Sequence, residues 1–553
     1  MTSTPAILIL GPSALACARR IQACYPQAEI HGLRSRVEDV EQPYDDFGDT
    51  LRGLYRRNVP IIALCAAGIV IRSLATVLGE KGGEPPVLAV AEDGSAVVPL
   101  LGGLGGVNRM AREIASHLQV SAAITTSGEL RFGTCLLEPP AGYVLADLEQ
   151  GKGFVSDLLG GETVRIEGDA PWLEQANLPV DNQAERVIHI SPNRRVARAD
   201  ELLIHPCQVA AWIEQPGPAL LDDLRQALHS AALAEQSLAC LLAAPEWMAN
   251  ADLQSAATQL NVPLRFIDDS RQLPPLHSQH ATLRLLLASA PLDANQLGRP
   301  RGRLTVIGLG PGAAEFMVPA ARQALDEAQD LLGYETYINM AGPLRPDQVR
   351  HCTDNREEMQ RARHAFELAA SGRRVVVVSS GDPGVFAMAA AVLEALHGAD
   401  EVEWQRVELQ IFPGVSAALA TAAKAGAPLG HDFCLISLSD NLKPWSIIET
   451  RLEHAAAADL VMAFYNPISK ARPWQLGRAL EILRQQRTPE TLVVLGRDIG
   501  RPGETLRTLT LGELTPAMVD MRTLVIVGSS QTCRFPRAEG GDWVYTPRSY
   551  PQS

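Results

Sequence analysis

Three glycine-rich turns between residues 304 and 417 carry the residue types and spacing best suited to ligand chemistry. They are Gly308-Leu309-Gly310-Pro311-Gly312, Ser380-Gly381-Asp382-Pro383-Gly384 and Pro413-Gly414-Val415-Ser416-Ala417. Each follows a short apolar run, at 304–307, 375–378 and 409–412. Such a run reads as a buried strand, and glycine at its end lets the backbone turn sharply and approach a ligand, because there is no Cβ to collide. Three such ends predict one crevice lined by backbone amides and carbonyls. The first turn also contains the Gly308-x-Gly310 start of a dinucleotide fingerprint. That pattern fails further on: Pro311 has no N–H, and Ala stands at position 313 where the third glycine belongs.

The elements that must position these turns alternate between strand and helix signals, which predicts an α/β fold with mostly parallel sheets, divided among several domains. A strand at Ala6–Leu10 leads through a glycine turn into a helical pattern ending near Arg20, and a second strand, Ile61–Leu64, runs into Gly68. These belong to an N-terminal domain over 1–137. A turn-rich stretch, 138–197, reads as a small module. An α/β unit follows over 198–268, with helices at Ala219–Ala232 and Ala251–Leu260 and strands at Leu238–Leu242 and Leu264–Ile267. Residues 269–300 read as a linker, 301–533 as a two-lobed domain divided near Phe412, and the Pro-, Gly- and Arg-rich residues 534–553 as a mobile tail.

At 553 residues the chain is too long for one core, and 46% hydrophobic with 20% charged residues is the balance of a folded protein rather than a disordered one. A formal net charge of −14 argues against binding nucleic acid or an anionic membrane surface, both of which favour basic proteins. The nine cysteines form no CxxC pair or zinc-spaced cluster. No disulfide framework or metal is therefore expected, and the thiols suit a reducing compartment. The most apolar run, Val59–Val70, is too short to span a bilayer and is followed by Arg72. With no signal-peptide pattern, the expected location is cytoplasmic.

The three turns stand within a longer text. Gly333-Tyr334-Glu335-Thr336-Tyr337-Ile338, Arg356-Glu357-Glu358-Met359-Gln360-Arg361-Ala362, Gly430-His431-Asp432-Phe433, Leu438-Ser439-Asp440-Asn441-Leu442-Lys443-Pro444-Trp445 and Phe464-Tyr465-Asn466-Pro467 accompany them. Over about residues 303–533 the chain resembles the tetrapyrrole methylases, and within them the branch acting on precorrin-3B at ring carbon 17. The resemblance implies two α/β lobes, S-adenosylmethionine as methyl donor in the cleft between them, a tetrapyrrole substrate, ring contraction coupled to methylation, and a homodimer. It places Gly310, Pro311, Gly312, Gly381, Asp382, Pro383, Ser416, Ala417, Tyr465 and Asn466 at the cofactor, turn geometry being the alternative for the two prolines.

Methyl transfer from a sulfonium is an in-line displacement, which asks the protein for alignment rather than for a metal. Ring contraction adds proton transfers, for which His431, Asp432 and Tyr334 are the candidate groups; loop capping and packing are the alternatives for His431 and Tyr334. A polycarboxylate macrocycle calls for cations, and Arg356, Arg361, Lys443, Lys470 and Arg472 are candidates, with Arg497-Asp498 similarly placed. For each, a solvated surface charge is the competing reading.

Residues 66–133 resemble the N-terminal part of the cobalt-precorrin-5A hydrolases, through Ala67-Gly68-Ile69-Val70-Ile71-Arg72, Leu100-Leu101-Gly102-Gly103-Leu104-Gly105-Gly106-Val107-Asn108 and Ile124-Thr125-Thr126. Where that family's pattern has histidine and aspartate, this chain has Gly103 and Glu129, and Ile204-His205-Pro206-Cys207 replaces a glycine-rich strand start. Glycine cannot act as a general base. The N-terminal half is therefore expected to be a degenerate hydrolase or a tetrapyrrole-binding module, with Gly105–Asn108 either an anion cradle, alongside Arg72, or a plain turn and helix cap. If hydrolase activity survived, the cobalt-containing substrate of the oxygen-independent route would become the alternative.

Overall fold

The computed structural model describes residues 4–550 apart from 80–83, 269–272, 343, 346, 354–356, 470 and 539. Apart from two three-residue segments, the chain divides into two compact units between Gly302 and Arg303. None of the described helices is long and apolar enough to cross a membrane.

The first unit contains three sheets among the described residues. Strands β1 (Ala6–Ile9), β2 (Glu29–Leu33), β3 (Gln42–Tyr44), β4 (Ile61–Leu64), β5 (Val87–Val90) and β6 (Val97–Leu101) form a sheet in the order β3-β2-β1-β4-β5-β6. Its central strands are parallel and wholly buried, which is why they read as unbroken apolar runs rather than alternating ones. The second sheet, β7 (Tyr143–Leu145), β8 (Val164–Glu167), β9 (Arg186–Ile190) and β10 (Glu201–Pro206), has the order β7-β10-β9-β8. The third, β11 (Val209–Ile213), β12 (Leu238–Ala243), β13 (Leu264–Phe266), β14 (Leu276–Gln279) and β15 (Leu283–Leu287), has the order β13-β12-β11-β15-β14.

Two sequence expectations change here. Ile204 to Pro206 does not open the last α/β unit; it ends β10, which pairs with β7 and β9, and the unit begins at β11. The expected linker, 269–300, supplies β14 and β15, the latter pairing antiparallel with β11. Leu283, Leu285 and Leu286 are buried by that pairing, so the leucine run is core rather than connection.

The glycine turn preceding the helix Val107–Leu118 follows the plain reading. Gly102 and Gly106 hold φ of +81° and +91°, and a Cβ on Gly102 would stand 2.5 Å from the Pro85 carbonyl oxygen. Asn108 is buried and donates its amide hydrogens inward, to Thr126 Oγ1 and Glu129 Oε1, both at 2.8 Å. The Asn108 side chain has no amide hydrogen left for a propionate. Glu129, also buried, is paired with Arg112 at 2.5 Å and thus holds structure together where the hydrolase resemblance implies an aspartate. Glu129→Ala leaves one buried Asn108 amide hydrogen without its acceptor and the part-exposed Arg112 without its partner, and should lower the stability of this unit by about 1–3 kcal/mol, read as an earlier unfolding transition in urea.

In the second unit, β16 (Arg303–Gly308), β17 (Asp330–Tyr334), β18 (Val349–Thr353), β19 (Arg374–Ser379) and β20 (Glu408–Phe412) form a sheet in the order β18-β17-β19-β16-β20. The pairs β16–β19, β17–β19 and β17–β18 are parallel, so Gly308, Tyr334 and Ser379 end at one edge. Its core joins Ile307, Leu331, Val376 and Val378 to Leu325 and Ile338.

The second lobe adds β21 (Gly426–Ala427), β22 (Phe433–Ser437), β23 (Val461–Tyr465), β24 (Leu492–Arg497), β25 (Thr505–Thr510), β26 (Thr523–Val527), β27 (Cys533–Pro536) and β28 (Asp542–Tyr545). The order β22-β23-β26-β24-β25 makes its main sheet, and β21-β28-β27 a small one. The expected mobile tail is thus in part a hairpin: β27 and β28 pair antiparallel, Val544 is fully buried, and Arg537 lies 3.8 Å from the Trp543 ring centroid.

Candidate active site

The three glycine turns meet. A Cβ on Gly308 would stand 2.3 Å from the Gly381 carbonyl oxygen, and one on Gly414 would stand 2.2 Å from the same oxygen and 2.9 Å from Gly308 Cα. Glycine is required at both positions for this close approach of backbone to backbone, not for its dihedral freedom. Gly310 and Gly381 also exchange two backbone hydrogen bonds, at 3.2 and 2.8 Å, which ties the first turn to the second. Asp382 ties the second to the third: Oδ1 accepts from Gly384 N at 2.8 Å and Oδ2 from Gly414 N at 3.0 Å. Its carboxylate is committed to the backbone, so it shapes the crevice through the loops it holds. Pro383 packs in the same junction, its Cδ 2.8 Å from where a Gly308 Cβ would be.

Ser416 caps the helix Ala417–Ala425, its Oγ accepting from Leu419 N at 3.3 Å. The Ala417 nitrogen lies 3.8 Å from where a Cβ on Gly381 would be. Ala418 N donates to the Tyr465 hydroxyl at 3.0 Å, which brings the end of β23 onto the third turn. Asn466 follows in a left-handed conformation, φ +50°, and donates to Ser437 Oγ at 3.1 Å at the end of β22. Over Tyr465 lies Phe386, exposed and also at positive φ, +53°, with ring centroids 5.4 Å apart. An exposed bulky residue held in that region marks backbone strain stored beside the crevice. All ten residues expected at the cofactor therefore belong to one connected set of strand ends.

The proton-transfer candidates divide. Tyr334 ends β17 at the same edge and packs edge-on against Tyr337 at 5.5 Å. Burial raises the Tyr337 hydroxyl pKa, partly offset by the Arg501 and Arg361 cations. His431 and Asp432 are not brought in. They precede β22, whose far end, Ser437, is the end that touches Asn466. Four residue steps along that strand separate the two ends by about 13 Å. There His431 Nδ1 accepts from Asp432 N at 2.7 Å, and its ring packs against Tyr550. The sequence expectation for this pair is corrected by strand direction: they stand at the entry of a strand whose exit faces the crevice. The double variant His431→Ala/Asp432→Ala should retain methyl transfer in a labelled-methyl assay.

The cation candidates also separate. Arg361 is buried and donates to Met388 Sδ at 3.1 Å, so it is neither a solvated charge nor an open anion site. Arg497 and Asp498 are bound to each other and to Asp520 and Arg522. Lys443 and Arg472 lie on segments leaving the crevice-facing ends of β22 and β23. Arg472 is half-buried, and its Nη1 finds no acceptor among the described residues. Arg356 and Lys470 lie outside the described residues.

Sequence reasoning missed Arg501. Its Nε donates to the Pro311 carbonyl at 2.8 Å and its Nη2 to Ser380 Oγ at 3.2 Å, while its Cγ lies 2.5 Å from where a Gly312 Cβ would be. One guanidinium thus bolts the loop after β24 to the first and second turns. The available signal was Gly500-Arg501-Pro502-Gly503 shortly after a strand, a fourth turn of the same kind. Beside the junction is a cavity of about 710 Å³, whose lining includes Gly312, Phe316, Leu419, Lys424 and Arg501.

Residues 303–515 match the family model of the Tetrapyrrole (Corrin/Porphyrin) Methylases, and residues 49–129 match the model Cobalamin synthesis G N-terminal. A Precorrin-3B C(17)-methyltransferase of Sinorhizobium sp is 54% identical over 249 residues, 45% of this chain and 97% of that protein. The Cobalamin biosynthesis protein CobIJ of Mycobacterium bovis is 49% identical over 264 residues, 46% of this chain; the match spans only 51% of that relative's length. Among solved structures, the methyltransferase CobJ is 53% identical with a TM-score of 0.42, covering 44% of this chain and all of that one. With the glycine junction intact and nearly the whole of the Sinorhizobium protein matched, the chain belongs to the tetrapyrrole methylases, which are S-adenosylmethionine-dependent methyltransferases.

Proposed function

We propose that the second unit methylates precorrin-3B at ring carbon 17 with contraction of the macrocycle, using S-adenosylmethionine. The observation that carries this reading is the joined set of turns, Gly308 to Gly312, Gly381 to Gly384 and Gly414 to Ala417, in a segment 54% identical to a protein named for that reaction. The residues present fit the cofactor: backbone is brought to backbone at glycines where a Cβ would collide, and the Phe386–Tyr465 aromatic pair adjoins the junction, a surface suited to an adenine ring or a sulfonium. When bound, S-adenosylmethionine supplies an electrophilic methyl group. The turns hold and orient it, Asp382 and Arg501 fix the turns, and rigid placement is the main contribution the protein makes to a displacement reaction.

Tyr334 is the hydroxyl group placed to orient or exchange a proton with the substrate, and Lys443 and Arg472 are the cations placed for its carboxylates. In the first unit, Gly103 and the inward-turned Asn108 and Glu129 support a hydrolase-like domain without the hydrolase chemistry. The test is turnover of the purified chain with S-adenosylmethionine, on precorrin-3B and on cobalt-precorrin-3 in parallel. A ring-contracted product, heavier by one methylene and formed from the metal-free substrate, is expected. Preference for the cobalt form would overturn the choice of substrate, and absence of methyl transfer to either would overturn the reading itself.

A further inference from the structure

A cavity of about 540 Å³ opens in the first unit, within the size range of small-molecule sites. Its lining residues fall between 146 and 236, outside both family-matched stretches, 49–129 and 303–515. β10 contributes Leu203 and His205 to one wall, and the helix Leu220–Ser230 contributes Arg225 and His229 to another. Arg194 stands on the rim. That rim is pinned rather than loose: Arg194 N donates to Ala232 O at 2.7 Å, and Ala234 N to Pro192 O at 2.9 Å.

Most of the charge around the cavity is already matched. Arg195 is spent on Glu201 and His189, Arg225 on Glu235, and Asp147 caps the helix Leu148–Gly160. Two groups are not. The Arg194 guanidinium makes no hydrogen bond or ion pair among the described residues. His205 is only 3% exposed, and its Nδ1 lies 2.7 Å from the Ser191 carbonyl oxygen. A carbonyl can only accept, so Nδ1 carries the hydrogen. Burial disfavours the doubly protonated ring. Nε2 is then a lone pair with no donor from the described residues, on a residue that lines the cavity.

We propose that this cavity is a second ligand site, taking a carboxylate compound that also carries an N–H or O–H donor, with the carboxylate on Arg194 and the donor on His205 Nε2. A carboxylated tetrapyrrole and a small hydroxy acid share that chemistry. The site does not depend on the substrate assigned to the methylase unit, whose methyl transfer serves as the folding control.

The experiment is calorimetric titration of the full chain with uroporphyrin III and, separately, with citrate, using the wild type, Arg194→Gln and His205→Phe. Arg194 is on the surface, so Arg194→Gln should fold normally and keep methyl transfer, while weakening one binding step by about tenfold or more. Loss of a uroporphyrin step identifies a tetrapyrrole as the source, and loss of a citrate step identifies a small acid. A uroporphyrin step unaffected by Arg194→Gln belongs elsewhere in the chain. If neither probe binds, or if Arg194→Gln leaves every binding step unchanged, the proposal is overturned, whatever His205→Phe does to the fold.

Discussion

Gly414→Ala should lower kcat/KM for methyl transfer by about a hundredfold or more, since misplacing aligned groups by about 1 Å is enough for an effect of that size. The added methyl would lie 2.2 Å from the Gly381 carbonyl oxygen and 2.9 Å from Gly308 Cα, and both obstacles are backbone that cannot rotate aside. The three turns must therefore part, and Asp382 loses its hold on Gly414 N. The same overpacking should cost about 1–3 kcal/mol of stability. Gly477→Ala is the control: its nearest neighbour would be 3.7 Å away, inside the helix Gln475–Gln486, where alanine is the better helix former. Equal kcat/KM for the two variants, with S-adenosylhomocysteine affinity unchanged, would show that the junction is not the cofactor site.

Arg501→Lys should raise KM for S-adenosylmethionine by about tenfold or more with a smaller effect on kcat, because a lysine ammonium cannot reproduce the fork that reaches Pro311 O and Ser380 Oγ together. Hydrogen bonds from a charged donor contribute about 1.5–3 kcal/mol each, so loss of one accounts for an effect of that size. Arg501→Ala should be worse, since it also leaves the first turn uncovered at Gly312. Steady-state kinetics at varied cofactor concentration separates KM from kcat. An unchanged KM in Arg501→Lys would mean that the two turns hold their places without the bolt.

The glycine turns were legible in the sequence for a local reason. A buried parallel strand reads as an unbroken apolar run, and the residue at its end must be glycine if backbone is to pass within contact of backbone; both signals sit within ten residues of each other at 304–312, 375–384 and 409–417. The three turns could therefore be named in advance, and they meet; Tyr465 and Asn466 came only from the family resemblance. The family resemblance did the same for the N-terminal half, where residues 49–129 match the Cobalamin synthesis G N-terminal model.

What the tertiary structure alone decided depends on topology. Arg501 reaches partners 190 and 121 positions away, and no local pattern says which of many arginines will do so. His431 and Asp432 lie in a recognisable motif, yet the direction of β22 puts them at the wrong end of the sheet, because sequence shows that a strand exists but not which of its ends faces the ligand. The leucines of β15 and the hairpin β27–β28 read as linker and tail because a strand's partners are supplied by segments remote in sequence: β11 for the one, and β21, more than a hundred residues away, for the other. Asp382 was named for a direct role at the cofactor, but only the fold showed that its two oxygens are spent on backbone amides of two different turns. Local conformation follows from residue type; the pairing of distant segments follows from which buried surfaces fit together, and that is settled only when the whole core is formed.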